Sequence, residues 1–209
     1  MSAGALHTDQ SEAYAARLRA WNDSPNYKAE VRFLRRLLDP QPDERILDVG
    51  CGTGACLEYL AEQSGAAIDG YDVHRFVTGA PTWFHTSLDS LGRYDKVYLL
   101  HSLAHVDDAA GLLGRLVAEH LTPEGRVYVI TPNVEFGRHL RSQPEGAGYV
   151  PDPTVREHYT LSRLVALLQS AQLDVTISGF LGQQAGGHHE RLFGVAVRPG
   201  NTPSWPRTC

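Results

Sequence analysis

The sequence has few cysteines, no cluster of basic residues and no long apolar run. Its three cysteines are an odd number without paired metal-site spacing, which excludes a disulfide framework and a structural zinc site. The net charge is −5 with scattered Lys and Arg, so the basic surface of a nucleic-acid-binding protein is missing. No apolar run approaches the roughly 20 residues that span a bilayer, and the first residues lack the apolar core of a signal peptide. We therefore expect a cytoplasmic protein that binds neither nucleic acid nor membrane.

The chain does contain enough apolar residues for one sizeable core, at 42% of 209 residues. We predict a helical segment over 1–40, a main domain over 41–198 and a loose tail over 199–209. The helical segment should hold two helices, because apolar residues recur there at helical spacing. These residues are Tyr14, Leu18 and Trp21 in the first helix and Val31, Leu34, Leu37 and Leu38 in the second.

Strand and helix patterns then alternate along the main domain. Apolar runs such as "RILDVG", "DKVYLL" and "RVYVITP" predict strands, and the segments between them are mostly helical in pattern, as in "GACLEYLAEQSG" and "DAAGLLGRLVAEHL". This alternation predicts a mostly parallel sheet with helices on both faces. The last two runs, "LDVTISGF" and "ERLFGVAVRP", are close enough to pair as a hairpin. The segment 133–159 has no clear period and predicts an irregular connection.

A glycine-rich turn follows the first predicted strand. In "ILDVGCGTG", Gly50, Gly52 and Gly54 occupy alternate positions between a strand and a helix, where glycine permits a sharp reversal and the helix N-terminus offers free N–H donors. Asp72 ends the next strand, 18 residues after Gly54, where a carboxylate can accept hydrogen bonds from both hydroxyls of a ribose. Together these features predict a nucleoside-binding site.

With "IDGYDVH", "YDKVYLLHSLAHV" and "LTPEGRVYVITPN", this turn resembles the successive motifs of class I S-adenosylmethionine-dependent methyltransferases over roughly residues 25–197. The resemblance implies an α/β, Rossmann-like fold with a seven-stranded, mostly parallel sheet, an antiparallel final strand, helices on both faces and an N-terminal helical cap. It also implies S-adenosyl-L-methionine as cofactor and S-adenosyl-L-homocysteine as product. The cofactor-binding residues that it implies are Asp48, Gly50, Cys51, Gly52, Gly54, Asp72, Val73, Leu88, Asp89 and His101.

Three histidines are the candidate catalytic residues. His101 follows the fourth strand at the predicted reactive end of the cofactor, and His105 lies about one helical turn further. His105 matches the "leHv" pattern of ubiquinone- and menaquinone-pathway methyltransferases, which leaves open a general base or a structural ring tied to a backbone carbonyl. His158 stands at the entry to a late helix that faces the acceptor in many small-molecule methyltransferases. Asp107 is the expected N-cap of the helix after His105.

These features favour transfer of a methyl group to a small-molecule acceptor, with oxygen as the methylated atom. A non-catalytic cofactor-binding relative remains an alternative. An NAD-dependent oxidoreductase is another, although its G-x-G-x-x-G turn would place the third glycine one residue later than Gly54. "TPNVEF" and "REHYT" resemble metal-dependent small-RNA 2′-O-methyltransferases, but the two expected glutamates are His101 and Ala104 here, so no metal site is predicted. The oligomeric state stays open between monomer and homodimer.

Overall fold

In a computed structural model of the chain, the described residues are 12–79, 81–136, 154–183 and 189–201. They form five α-helices around one seven-stranded sheet. The helices are α1 (Glu12–Asn22), α2 (Pro25–Leu38), α3 (Ala55–Ser64), α4 (Ala109–Arg115) and α5 (Leu161–Ser170). The strands are β1 (Arg45–Val49), β2 (Ala67–Tyr71), β3 (Phe84–His85), β4 (Tyr94–Leu100), β5 (Leu121–Pro132), β6 (Asp174–Gln183) and β7 (His189–Val197).

The strands lie in the order β3-β2-β1-β4-β5-β7-β6. The first five are parallel, whereas β7 runs antiparallel to both β5 and β6. The α/β, Rossmann-like fold and the closing hairpin predicted from the sequence are therefore confirmed. Because β1 lies between β2 and β4, the carboxyl ends of these three strands meet at one edge, where ligands bind in open α/β sheets.

Alternate strand residues face opposite sides of the sheet and pack against different helices. On one face, Ile46 and Tyr98 pack with apolar residues of α2 and α3. On the other, Leu47 and Val97 pack with apolar residues of α4 and α5. Helix α2 therefore forms part of one layer through Val31, Leu34 and Leu38. The boundaries predicted at residues 40 and 198 stay predictions.

Two local features differ from the sequence prediction. The N-cap of α4 is Asp108, whose side chain accepts a hydrogen bond from Gly111 N at 2.8 Å, so the prediction of Asp107 is wrong by one residue. The segment "TPEG", whose proline and glycine are typical of a turn, lies within β5, where the pairing jumps from Tyr94–Leu121 to Lys96–Arg126. Three extra residues on β5 thus form a bulge instead of a separate turn.

Among the described helices, none is long and apolar enough to cross a membrane. Most of the connection predicted over 133–159 and of the tail predicted over 199–209 lies outside the described residues, which include neither 137–153 nor 202–209.

Candidate active site

The glycine turn joins β1 to α3 with a backbone that few residues besides glycine adopt. Gly50, Gly52 and Gly54 have φ values of 80°, 55° and 83°, in the left-handed region. The N–H groups of Gly50 and Cys51 donate to the carbonyl of Tyr71, at 2.7 and 3.1 Å, which ties the turn to the end of β2. Gly54 caps α3 without a side-chain hydrogen bond. The turn therefore places backbone without side chains at the carboxyl edge, next to the N-terminus of α3.

Asp48 lies beneath this turn as a nearly inaccessible carboxyl group, 2% exposed. Its Oδ2 accepts a hydrogen bond from the Tyr98 hydroxyl on β4 at 2.8 Å. Burial raises the pKa of Asp48 to about 7; the hydrogen bond from Tyr98 opposes the rise, and the nearby charge of Asp72 adds to it. One hydrogen bond offsets only part of the cost of burying this charged carboxylate, so a cationic group of a ligand would stabilise it.

Asp72 follows β2 on the other side of the turn and is 4% exposed. Its two oxygens accept backbone hydrogen bonds, Oδ2 from Gly52 N and Oδ1 from His74 N, both at 2.9 Å. Burial raises the pKa of Asp72, while these hydrogen bonds oppose the rise. Because each carboxylate oxygen has two lone pairs, both keep the capacity to accept a hydrogen bond from a hydroxyl group.

The cap helix α1 and a tryptophan close around the turn. Leu18 Cδ1 is 3.8 Å from the position of a Cβ on Gly52, and Asn22 Nδ2 donates to Thr53 Oγ1 at 2.6 Å. A Cβ on Gly54 would lie 2.4 Å from the ring of Trp83, so only glycine fits there. An open pocket of about 500 Å³ lies beside Asp72, lined by Val73, His74, Arg75, Phe76 and Thr86 with Ala15 and Arg19 of α1.

These residues fit a ligand with an ammonium group and a ribose, as predicted for S-adenosylmethionine. The fit rests on the near-neutral pKa of Asp48, the bare glycine backbone and the remaining lone pairs of Asp72.

The other cofactor-binding residues predicted by resemblance differ in environment. The Cys51 thiol is buried against Gly70, so this residue could meet a ligand mainly through its backbone. Leu88 is a core residue at 2% exposure, and Val73 packs against the same core cluster. Asp89 has an exposed side chain that forms an ion pair with Arg115. Their contacts with a cofactor stay predictions.

His101 stands at the same edge, directly after β4, in a strained conformation. Asp48 of β1 pairs with Tyr98 of β4. His101, three residues after Tyr98, therefore lies level with Cys51 in the glycine turn. His101 has φ 63°, which is unfavourable for a side chain with a Cβ and occurs mostly where the surrounding structure enforces it. Its Nε2 contacts Glu30 Oε2 of α2, and Arg191 Nε of β7 is 3.1 Å from Glu30 Oε1.

The other two histidines have different surroundings. His105 Nδ1 is 3.0 Å from the backbone oxygen of Thr154 and also 3.0 Å from its hydroxyl oxygen. A contact with a backbone carbonyl is what we expect if the ring has a structural role. His158 is exposed, and its backbone oxygen accepts from Arg163 at 2.8 Å. In the described part of the chain, no three His, Cys, Asp or Glu residues are grouped to hold a metal. A catalytic role for either histidine stays a prediction.

A larger groove of about 1280 Å³ lies at the opposite, amino-terminal edge of the sheet. Its buried cation, Lys96, already contacts Glu44 Oε2 at 2.5 Å and the Asp39 carbonyl at 2.9 Å. Volume alone does not identify a site, and ligands of open parallel sheets bind at the carboxyl edge. We therefore place the candidate active site at the glycine turn.

Sequence reasoning missed Glu30 and Arg191. A signal existed for Glu30, because it lies four residues before Leu34 and one before Val31, on the apolar side of α2. A carboxylate at such a position needs a buried partner. The partner could not be named, because His101 is 71 residues further along the chain.

The chain is similar to known methyltransferases. Residues 17–177 match the family described as "Methyltransferase domain". A curated relative, the ubiquinone biosynthesis O-methyltransferase of Yersinia enterocolitica, is 31% identical over 107 residues, which are 44% of this chain and 43% of that protein. The chain spans about half the length of the curated relatives that it matches.

Two solved structures share the fold. The 1,6-didemethyltoxoflavin-N1-methyltransferase of Burkholderia thailandensis, with 1,6-didemethyltoxoflavin and S-adenosylhomocysteine bound, has a TM-score of 0.62 at 20% identity; the match covers 89% of this chain and 84% of that protein. Magnesium protoporphyrin IX methyltransferase of Synechocystis, with S-adenosylhomocysteine bound, has a TM-score of 0.58 at 19% identity and covers 82% and 81%.

Since the family match covers most of the chain, the protein belongs to the methyltransferase domain family. This confirms the class predicted from the sequence, the S-adenosylmethionine-dependent methyltransferases, and the cofactor of that class. The identity of the acceptor and of its methylated atom is a matter of proposal.

Proposed function

We propose that the chain transfers the methyl group of S-adenosylmethionine to a hydroxyl group of a small molecule. The observation that carries this proposal is that one sheet edge brings together two buried carboxylates, the bare glycine turn and a histidine in a strained conformation. The curated relatives named ubiquinone biosynthesis O-methyltransferase support transfer to oxygen.

In this proposal, three groups hold the cofactor. Asp48 would stabilise the ammonium end, the backbone N–H groups at the start of α3 would contact the methionine part, and Asp72 would accept hydrogen bonds from the ribose hydroxyls. When bound, S-adenosylmethionine would supply a methyl group on a cationic sulfur, and this sulfur would keep the electron pair of the C–S bond when the methyl group passes to the acceptor oxygen. The residues orient the reactants in line, which can supply on the order of 7 to 11 kcal/mol.

His101 is the proposed general base for the acceptor hydroxyl. It is the histidine at the level of the glycine turn, and its side chain is 18% exposed, so a small molecule can reach it. A phenolic hydroxyl, with a pKa of about 10, is within range of an imidazole base, whereas an aliphatic hydroxyl is far harder to deprotonate. We therefore propose a phenolic acceptor.

The remaining expectations from the sequence stay predictions: a cytoplasmic location, no nucleic-acid partner, and a monomeric or homodimeric state.

The test measures S-adenosylhomocysteine and methylated product by mass spectrometry, with catechol, 3,4-dihydroxybenzoate, aniline and cyclohexanol as probe acceptors. We expect product from the two phenols and none from the amine or the alcohol. His101→Gln should lower kcat by about 10²- to 10⁴-fold, the range of a general base.

His105→Gln is the matched control for His101→Gln, because it removes a histidine four residues away whose ring contacts a backbone carbonyl. His105→Gln should lower the melting temperature and leave kcat nearly unchanged. Methylation of aniline alone would overturn the proposal of an oxygen acceptor. Tight cofactor binding without product from any probe would favour the non-catalytic relative.

A further inference from the structure

Glu30 connects α2 to the end of β4 and to β7 through its two carboxylate oxygens. These three elements meet beside His101, on what we call the acceptor side of the proposed site. It lies on α2 and is 9% exposed. One oxygen contacts Nε2 of His101 at the end of β4, and the other lies 3.1 Å from Nε of Arg191 on β7. The Arg191 guanidinium lies over the ring of Trp21, 5.5 Å from its centroid, and the Trp21 ring meets the His101 ring edge-on at 6.1 Å.

The carboxyl group of Glu30 is ionised in this cluster. Burial acts against the charged form, yet the adjacent His101 and Arg191 outweigh burial and lower the pKa of Glu30. An ionised carboxylate has no proton to donate, so its contact with His101 requires a proton on Nε2 of the ring. The contact itself requires only the proton on Nε2, which both the neutral ring and its cation can carry.

The contact therefore selects one neutral form of the His101 ring, with a proton on Nε2 and none on Nδ1. No described residue hydrogen-bonds Nδ1 of His101. The backbone holds this residue at the carboxyl edge of the sheet: His101 N donates to the Ile130 carbonyl at 2.8 Å, and the neighbouring Ser102 hydroxyl donates to the Val49 carbonyl. The bare nitrogen is thus held at the edge where the acceptor is proposed to bind.

We infer that Glu30 is a positioning residue for the methyl-transfer reaction, which fixes the His101 ring with Nδ1 free to accept the proton of a phenolic acceptor. This inference rests on the proposed function. As the acceptor oxygen forms its bond to the methyl carbon, its proton moves to Nδ1 and the ring becomes a cation. The Glu30 carboxylate stabilises that cation, which returns its proton to water after product release.

The direct test is nitrogen-15 NMR of the histidine rings, with the His101 signals assigned by their loss in His101→Gln. At mildly alkaline pH, the wild-type protein should show a protonated Nε2 and a bare Nδ1 for His101. Glu30→Gln, which keeps the shape but removes the charge, should give a mixture of the two neutral forms. An unchanged His101 spectrum in Glu30→Gln would overturn the inference.

Kinetics with catechol supply the second readout. Glu30→Gln should lower kcat by about 10- to 100-fold, the usual cost of losing a group that orients a functional histidine, while the Kd of S-adenosylhomocysteine changes less than about threefold. Glu30→Asp, which keeps the charge on a shorter stem, should recover part of the rate. Glu44→Gln is the matched control, because it breaks the 2.5 Å ion pair with Lys96 at the opposite edge and should leave kcat unchanged.

Failure of this inference can be told from failure of the proposed function. If the wild-type protein methylates neither phenol, the proposed function fails, and the NMR experiment still decides whether Glu30 selects the ring form of His101. If the wild-type protein is active but Glu30→Gln loses only stability, with kcat of the folded fraction unchanged, the role of Glu30 is structural and the inference is wrong.

Discussion

The two sides of the site are built differently. The cofactor side uses residues close together in sequence, Asp48 with the glycine turn and Asp72 after the next strand, and many of its contacts involve backbone groups. The proposed acceptor side joins side chains from four separate elements, Trp21, Glu30, His101 and Arg191, through ion pairs and ring contacts. A backbone-built site tolerates little change of its own residues, whereas a side-chain-built site can be altered residue by residue for a new acceptor.

The largest expected effect concerns the backbone-built side. Gly54→Ala adds a Cβ that collides with Trp83 at a φ of 83°. We expect a loss of about 3 to 5 kcal/mol in the free energy of unfolding, from overpacking together with backbone strain, measured by urea denaturation.

Gly79→Ala is the control for backbone strain alone. Gly79 has a similar φ of 71°, but a Cβ there meets nothing within 4 Å. It should lose only about 1 to 2 kcal/mol. Equal losses in the two variants would show that contact with Trp83 does not matter.

A smaller effect, a change of about tenfold in affinity for S-adenosylhomocysteine, is expected from the ionisation of Asp48. Because burial raises the pKa of Asp48 to about 7, much of this group is protonated just below neutrality and cannot attract an ammonium group. Affinity for S-adenosylhomocysteine should therefore rise by about tenfold from about pH 6 to about pH 8, with release of a proton. Calorimetry in buffers of different ionisation enthalpy measures both.

The control for this pH dependence is Asp48→Asn, which should bind weakly at every pH. A flat affinity profile in the wild-type protein would mean that Asp48 is ionised throughout or far from the ligand.

The smallest effect tests the acceptor side through acid stability. The pKa of Glu30 is lowered in the folded protein, so its ion pairs stabilise the fold above the ordinary glutamate pKa of 4.5 and are lost as the pH falls through the lowered value. The difference in unfolding free energy between wild type and Glu30→Gln should shrink as the pH falls below about 4.5 and through the lowered pKa of Glu30. Urea denaturation across this range measures it, and a difference that grows in acid would refute the assigned ionisation.

The arrangement of Asp48, the glycine turn and Asp72 at one sheet edge could be predicted from the sequence, because these residues lie close together along the chain. A strand followed by three alternate glycines permits few backbone paths, and an acidic residue at the next strand end has a known place beside them. The alternation of strands and helices, the closing hairpin and the two helices before β1 follow from patterns of the same local kind. Even the error at the α4 cap was small, because Asp107 and Asp108 are adjacent and equally able to cap.

The acceptor side could not be predicted in the same way. The contacts of Glu30 depend on how α2 docks on the sheet, and Arg191 is 90 residues beyond His101 on a strand that is adjacent to β5 only in the folded sheet. No periodicity encodes such a pairing. The left-handed backbone of His101 is likewise a consequence of tertiary structure, since the sequence alone gives a histidine no reason to adopt it.

The most direct test of the account is calorimetric titration of S-adenosylhomocysteine into the wild-type protein, Asp72→Asn and Asp69→Asn. Asp69 is the matched control, because it lies on β2 but points to Tyr94 and Arg45, with its Oδ2 2.8 Å from the Tyr94 hydroxyl. We predict that wild type and Asp69→Asn bind, that folded Asp72→Asn loses at least about tenfold in affinity, and that none binds NAD. Binding of NAD by the wild type, or full affinity in Asp72→Asn, would contradict the account.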